Sequence, residues 1–105
     1  MSRPITIFTG QWADLSFGDA CKLVKSFGYE GVEICTWGDH MDVRKAAADP
    51  EYVKGRKAIL SENELNCWAI GSHLIGQCVG DKWDPRLDGF APAEFSGKPE
   101  AIREW

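Results

Sequence analysis

Apolar positions in this chain recur with two different periods, and the switches between them mark out strands and helices in alternation. Ile5-Thr-Ile-Phe-Thr9 is β-branched and aromatic and predicts a strand, with Gly10-Gln11-Trp12 as its exit loop. Phe17, Ala20, Val24 and Phe27 follow at spacings of three, four and three, which places them on one face of a helix. Ser16 and Asp19 have capping-box spacing at its mouth, and Gly28 is positioned to close it as a left-handed cap. From Val32 to Trp37 the period falls to two, so Val32, Ile34 and Thr36 share one face and Glu33, Cys35 and Trp37 the other. The first face is apolar enough to lie beneath helices. The second carries a carboxylate, which rarely enters a core unpaired.

Further along, residues 38–42 predict a loop and residues 43–48 one short helical turn. Asp49 and Pro50 supply an N-cap and a first-position proline for a helix running to about residue 63. Tyr52/Val53 and Ile59/Leu60 lie on one side of it, and Gly55 weakens it by roughly 1 kcal/mol relative to alanine. Cys67-Trp-Ala-Ile-Gly71 predicts a third strand leading into Ser72–Gln77. Alternation turns Trp68 and Ile70 toward the helices, and Ala69, Gly71 and His73 the other way. After Gly80 the chain becomes polar and irregular, from Asp81 through Pro92, before Lys98–Trp105 takes up the pattern of two helical turns. Strands alternating with helices predict an α/β fold with a parallel sheet and right-handed crossovers. Three parallel strands cannot close a barrel, and an eight-unit barrel needs about 250 residues. The chain therefore reads as truncated, or as one that pairs with another copy.

Composition narrows the functional classes. At 105 residues, with 44% hydrophobic and 27% charged, the chain matches a single ordinary globular domain. Its net charge of −4 gives no basic footprint for nucleic acid or an anionic membrane. No apolar run has the length of a membrane span, and the N-terminus lacks the apolar region of a signal peptide, so a cytoplasmic location is expected. Cys21, Cys35, Cys67 and Cys78 form no Cys-x-x-Cys pair, which favours buried free thiols over a disulfide framework or a zinc ribbon. Gly71, Gly76 and Gly80 do not make a dinucleotide fingerprint, and no phosphate-binding Gly-x-x-x-x-Gly-Lys-Ser/Thr loop is present.

Three stretches, Pro4–Leu15, Gly28–His40 and Ala69–Gln77, together with Tyr52–Arg56 and Gly97–Glu100, resemble the sugar phosphate isomerase/epimerase family. The resemblance covers nearly all of the chain and corresponds to the N-terminal part of a xylose-isomerase-like TIM barrel. It implies that residues 1–105 are a partial domain, the first three βα units of a (β/α)8 barrel. It also implies a divalent-metal enzyme (Mn, Mg, Co or Zn) that moves a proton beside a sugar carbonyl. The metal ligands and the acid–base glutamates of such enzymes come from later strands, so this chain would supply substrate pocket and not the metal site. The wider superfamily includes endonuclease IV, in which a histidine in a Ser-His context binds zinc, as Ser72-His73 would. The acidic balance argues against a DNA substrate. Glu64 departs from the family by standing where relatives often carry glycine, and Asn63 is expected to take the left-handed turn instead.

The candidate site residues follow from position. His73 sits at a strand C-terminus facing the presumed barrel interior, where substrate contact is expected, with metal ligation or a backbone-bonded ring as alternatives. Glu33 faces the same interior, either bonding sugar hydroxyls or His73, or pairing with a lysine or arginine on a strand outside this sequence. Trp12 and Trp37 end strands and suit either the apolar face of a sugar ring or packing. Asp39-His40 reads as a solvated turn or a substrate contact, and Gln77 as a partner for a sugar hydroxyl or a loop backbone. No catalytic residue is assigned. The functional expectation is a sugar or sugar-phosphate isomerase or epimerase. A lyase on oxidised glycosides, a non-catalytic self-assembling βαβ fragment and an endonuclease IV-like hydrolase are its rivals.

Overall fold

The computed structural model describes residues 2–80 and 82–105; Met1, and Asp81 at the head of the polar stretch, lie outside the described residues. The chain divides into two compact units, Met1–Gly71 and Ser72–Trp105, each described here by itself. The first unit runs β1 (Thr6–Phe8), α1 (Phe17–Ser26), β2 (Gly31–Cys35), α2 (Val43–Ala48), α3 (Pro50–Glu62) and β3 (Asn66–Gly71). The strands form one sheet in the order β1-β2-β3, and both pairings are parallel. The fold is therefore α/β, with helical crossovers between consecutive parallel strands.

Each helix of the first unit starts where the sequence provides a cap. The Ser16 hydroxyl accepts the Asp19 N–H at 3.1 Å and donates to the Asp19 carboxylate at 2.8 Å. That bond, helped by Lys22, holds the Asp19 carboxyl below the usual range. Asp42 accepts the Lys45 N–H to start α2, and Asp49 accepts the Glu51 N–H to start α3, with Pro50 at its first turn. Phe17, Cys21 and Val24 of α1 and Leu60 of α3 pack with Leu65 against Val32 and Ile34 of β2. Both long helices thus cover the Val32/Ile34 face, as the alternation requires. All four cysteines are free, and burial pushes the Cys21 thiol up to about 11, so it stays protonated at neutral pH.

Three positions depart from the expectations. Phe27 is 60% exposed: α1 ends at Ser26, and Cys21 fills the core in its place. Asn63 does not take the left-handed turn; its φ is −98°, and Glu64 adopts φ 51°. The reason lies in the hydrogen bonds. The Asn63 side chain donates to the Ile59 carbonyl at 2.8 Å and holds Asn63 as the last helical cap. The Leu65 N–H then reaches the Leu60 carbonyl and the Glu64 N–H the Ser61 carbonyl. This is a Schellman closure, with Leu60 and Leu65 sharing the core beneath it.

The third departure is Trp68. β3 carries one more residue than β2 between their paired ends, because Val32 aligns with Cys67 and Glu33 with Ala69. That bulge breaks the alternation. Cys67 takes the core-facing place, and Trp68 lies across Gly31, where a Cβ would come 2.5 Å from its ring. Ile70 keeps the helix side, beside Ile34 and Leu60.

The second unit contains 3-10 turns at Ile75–Cys78, Pro85–Phe90 and Ala93–Phe95, followed by α4 (Pro99–Glu104). The Asp88 carboxylate gathers its polar stretch by accepting from the Gly97 N–H, the Ser96 hydroxyl and the Trp83 indole. The Gly97 bond leads in holding the Asp88 carboxyl below its ordinary range. Cys78 and Ile102 are its buried apolar residues. Among the described residues no helix is long and apolar enough to cross a membrane.

Candidate functional site

The sheet face turned away from the helices carries the chemistry. Phe8 of β1 aligns with Glu33 of β2, and Gly71 of β3 lies beside both. A Cβ on Gly71 would come 2.5 Å from the Phe8 ring and 3.0 Å from Glu33 Oε1, so the bare glycine is what lets these two side chains lean across it. Trp37, just past β2, meets the Phe8 ring edge-on, with centroids 5.6 Å apart and planes at 66°. The Glu33 side chain is half-buried, and among the described residues no hydrogen bond or ion pair reaches its carboxylate. A partly desolvated carboxylate beside the Phe8 ring, which Trp37 meets in turn, can accept from hydroxyl or amine donors while the rings cover C–H groups.

The loop after β2 holds this face in place. His40, expected in a solvated turn, is fully enclosed. Its Nε2 donates to the Leu15 carbonyl at 3.3 Å, which leaves Nδ1 to accept from the Thr9 hydroxyl at 2.9 Å, with the Cys35 thiol 3.3 Å away. Thr9 in turn accepts the Cys35 N–H at 3.0 Å, and the His40 ring packs 5.6 Å from Phe17. Direct substrate contact by His40 therefore gives way to a positioning role, tying the ends of β1 and β2 to α1. Thr36 donates to the Gly71 carbonyl, which ties β2 to β3. Asp39 accepts the Phe17 N–H, and Arg56 of α3 donates to the Asp39 carbonyl at 2.7 Å. The Arg56 guanidinium lies against the Phe17 and Tyr52 rings.

The other sequence candidates separate. Trp12 packs against the core cluster, with its ring 6.2 Å from Phe27, and so follows the packing alternative. In the second unit His73 and Gln77 come together, lining one open depression with Ser72, Gly76 and Gly80. Among the described residues no three His, Cys, Asp or Glu side chains gather as a metal site. Sequence reasoning placed Gly71 on this face as a small residue leaving room, and missed Thr9 and Phe8 as parts of the site. The signal that was available is the pair of polar residues, Thr9 and Thr36, just beyond apolar strands.

Compared with protein families and with curated proteins, the chain finds no match in either.

Proposed function

We propose that this chain supplies part of the substrate pocket of a sugar isomerase or epimerase, built as the first three βα units of a xylose-isomerase-like TIM barrel. The observation that carries this reading is the Glu33 face: a carboxylate without a hydrogen-bond or ion-pair partner among the described residues, leaning with the Phe8 ring over Gly71, with the Trp37 ring edge-on to Phe8. A sugar offers hydroxyl donors around its rim and C–H groups on its face, and this arrangement complements both. The strand order β1-β2-β3 is that of consecutive barrel strands, and a flavodoxin-like sheet would instead place β1 between β2 and β3, while half of a Rossmann-type sheet shares it. Within the first unit α1 and α3 pack on the Val32/Ile34 face of the sheet, and the opposite face of that unit would line a barrel interior. In the second unit, taken by itself, His73 and Gln77 line a depression of their own and offer an imidazole and an amide suited to hydroxyl groups.

Within this reading Glu33 and Trp37 of the first unit contact the sugar, while His40 and Trp12 hold the strand ends that carry these contacts; His73 and Gln77 remain candidate contacts of the second unit, taken by itself. A divalent cation is what the family resemblance implies for the complete enzyme, polarising the sugar carbonyl. The described residues do not make up a ligand set for it, so neither the cation nor the proton transfer is assigned to a side chain of this chain. A lyase on oxidised glycosides would share the proton abstraction and the same pocket. The balance of 16 acidic residues against 12 basic argues against a DNA substrate.

The test is solvent exchange. The protein isolated from its source, loaded with Mn2+, is incubated with free ketoses and ketose phosphates in D2O, and NMR follows deuterium entering beside the carbonyl. Exchange that is abolished by EDTA and slowed at low substrate in Trp37→Ala supports the reading. Absence of both exchange and binding across the panel overturns it.

A further inference from the structure

The bulge in β3 moves one large side chain from one face of the sheet to the other. Val32 of β2 stands opposite Cys67 and Glu33 opposite Ala69, so Trp68 is the extra residue between them. A bulge of this kind re-aims the side chain it carries. Cys67 and Ile70 stay on the helix side, where both line the apolar hollow beside Ile34 and Leu60. Trp68, between them, goes the other way. A Cβ on Gly31 would come 2.5 Å from Trp68 Cζ3 and 3.0 Å from Cε3, so the indole lies where a Gly31 side chain would be. Gly31 and Glu33 flank the core residue Val32 on β2 and therefore share the face turned away from the helices. Trp68 thus belongs to the Glu33 face.

Two bare glycines of that face receive different neighbours. Over Gly71, the last residue of β3, lean the Phe8 ring and the Glu33 carboxylate. Over Gly31, the first residue of β2, lies the indole. The step from Glu33 back to Gly31 is about 7 Å along the strand. Barrels of parallel βα units receive substrate at the C-terminal ends of their strands, and layers of side chains fill the interior beneath. A ligand coming in past Trp37 meets Glu33 and Phe8 first and the indole next. Seated on the Gly31 backbone, the indole has no room to sink further toward β2.

We infer that Trp68 is a specificity-determining residue, the floor of the Glu33 pocket, and that it limits how long a polyol chain can be while one of its hydroxyls bonds Glu33. This rests on the sugar reading above and deepens it, adding chain length to hydroxyl chemistry. One methylene too many or too few against a fixed wall is worth about 10–200-fold, enough to separate sugars that differ by a single carbon. Gly31 is the positioning residue for this floor, since any side chain there would meet the indole and, at 2.7 Å, the Asn66 carbonyl.

The experiment titrates D-xylulose, D-fructose and D-sedoheptulose, each one carbon longer than the last, into the full protein, Trp68→Ala and Trp68→Phe, following binding by NMR. In the wild type, affinity is expected to drop by about tenfold or more at one lengthening step. In Trp68→Ala the drop at that step should shrink to about threefold or less, with Trp68→Phe between. Wild-type NOE contacts should also join the longest ketose that binds to the Trp68 indole protons. Three ketoses that bind the wild type equally, or a drop that persists in folded Trp68→Ala, overturn the inference and leave the sugar reading standing. So does a longest-binding ketose that makes no contact with the indole, a measurement that needs no variant to fold. Failure of all three ketoses to bind overturns the sugar reading and the inference together.

Discussion

His40 Nδ1 has two groups within reach that can donate to it, the Thr9 hydroxyl and the Cys35 thiol, and the hydroxyl is the stronger and closer. The same Thr9 oxygen accepts the Cys35 N–H, so one buried atom satisfies two others. Removing it strands the Cys35 N–H and leaves His40 Nδ1 only the weaker Cys35 thiol, and an unsatisfied buried polar group costs about 1–3 kcal/mol. Thr9→Val should therefore destabilise the fold by about 2–4 kcal/mol, while Thr9→Ser, which keeps the hydroxyl and loses a methyl, should cost about 1 kcal/mol. Urea denaturation with matched slopes measures the difference. A valine variant within about 0.5 kcal/mol of wild type would show that the bonds are not made. This cluster was hidden in the sequence because its members are 26 and 31 residues apart, and nothing local marks a threonine at a strand end as a buried hub. Glu33 was legible, since two-residue alternation on β2 alone decides which face it takes.

At the scale of the element, the end of α3 carries a residue in a conformation that L side chains resist. Glu64 occupies the left-handed region at φ 51° to let the chain double back, and the Leu60/Leu65 contact beneath keeps it there. Its ion pair with Lys25 is exposed and adds little. Glu64→Gly should relieve the strain by more than it adds unfolded-state entropy, stabilising the protein by about 0.5–1 kcal/mol. A destabilised variant in the same denaturation assay would mean that the carboxylate contributes more than the backbone loses. The starts of α1 and α3 were readable because Ser16 and Asp49 act on N–H groups two or three residues ahead, while the Asp42 cap of α2 was read only as loop. The displaced left-handed residue was not, because Asn63 and Glu64 compete for the role and the winner depends on an Asn63 side-chain bond to Ile59. The bulge at Trp68 was hidden for a related reason. Within β3 alone the alternation is regular, and the extra residue exists only relative to β2.

For the whole molecule, the outer edge of β3 is the feature that most needs an explanation. Among the described residues no strand pairs with it, yet Trp68 and Ile70 on this strand are 56% and 53% exposed. On its helix side a cavity of about 210 Å³ is lined by Ile34, Met41, Tyr52, Leu60, Cys67 and Ile70, almost wholly apolar. An unpaired strand edge beside an apolar hollow is a template for a further strand and a further helix. The barrel reading supplies both from a polypeptide on the order of 250 residues. The self-assembly reading supplies them from a second copy. Both require that this edge, and not the polar surface of the helices, drive association when the 105-residue chain is studied alone. Sedimentation velocity over a hundredfold concentration range should show a shift from monomer to dimer or larger species. Ile70→Lys, which sets a charge in the apolar hollow beside the edge, should move the midpoint upward by about tenfold or more. A chain that stays monomeric throughout would sink the edge as a docking surface. If Ile70→Lys associates as wild type does, the contact lies elsewhere. The intact mass of the protein in its source cells then separates the two occupants: one polypeptide of barrel length favours intramolecular closure, and one of 105 residues favours a second copy.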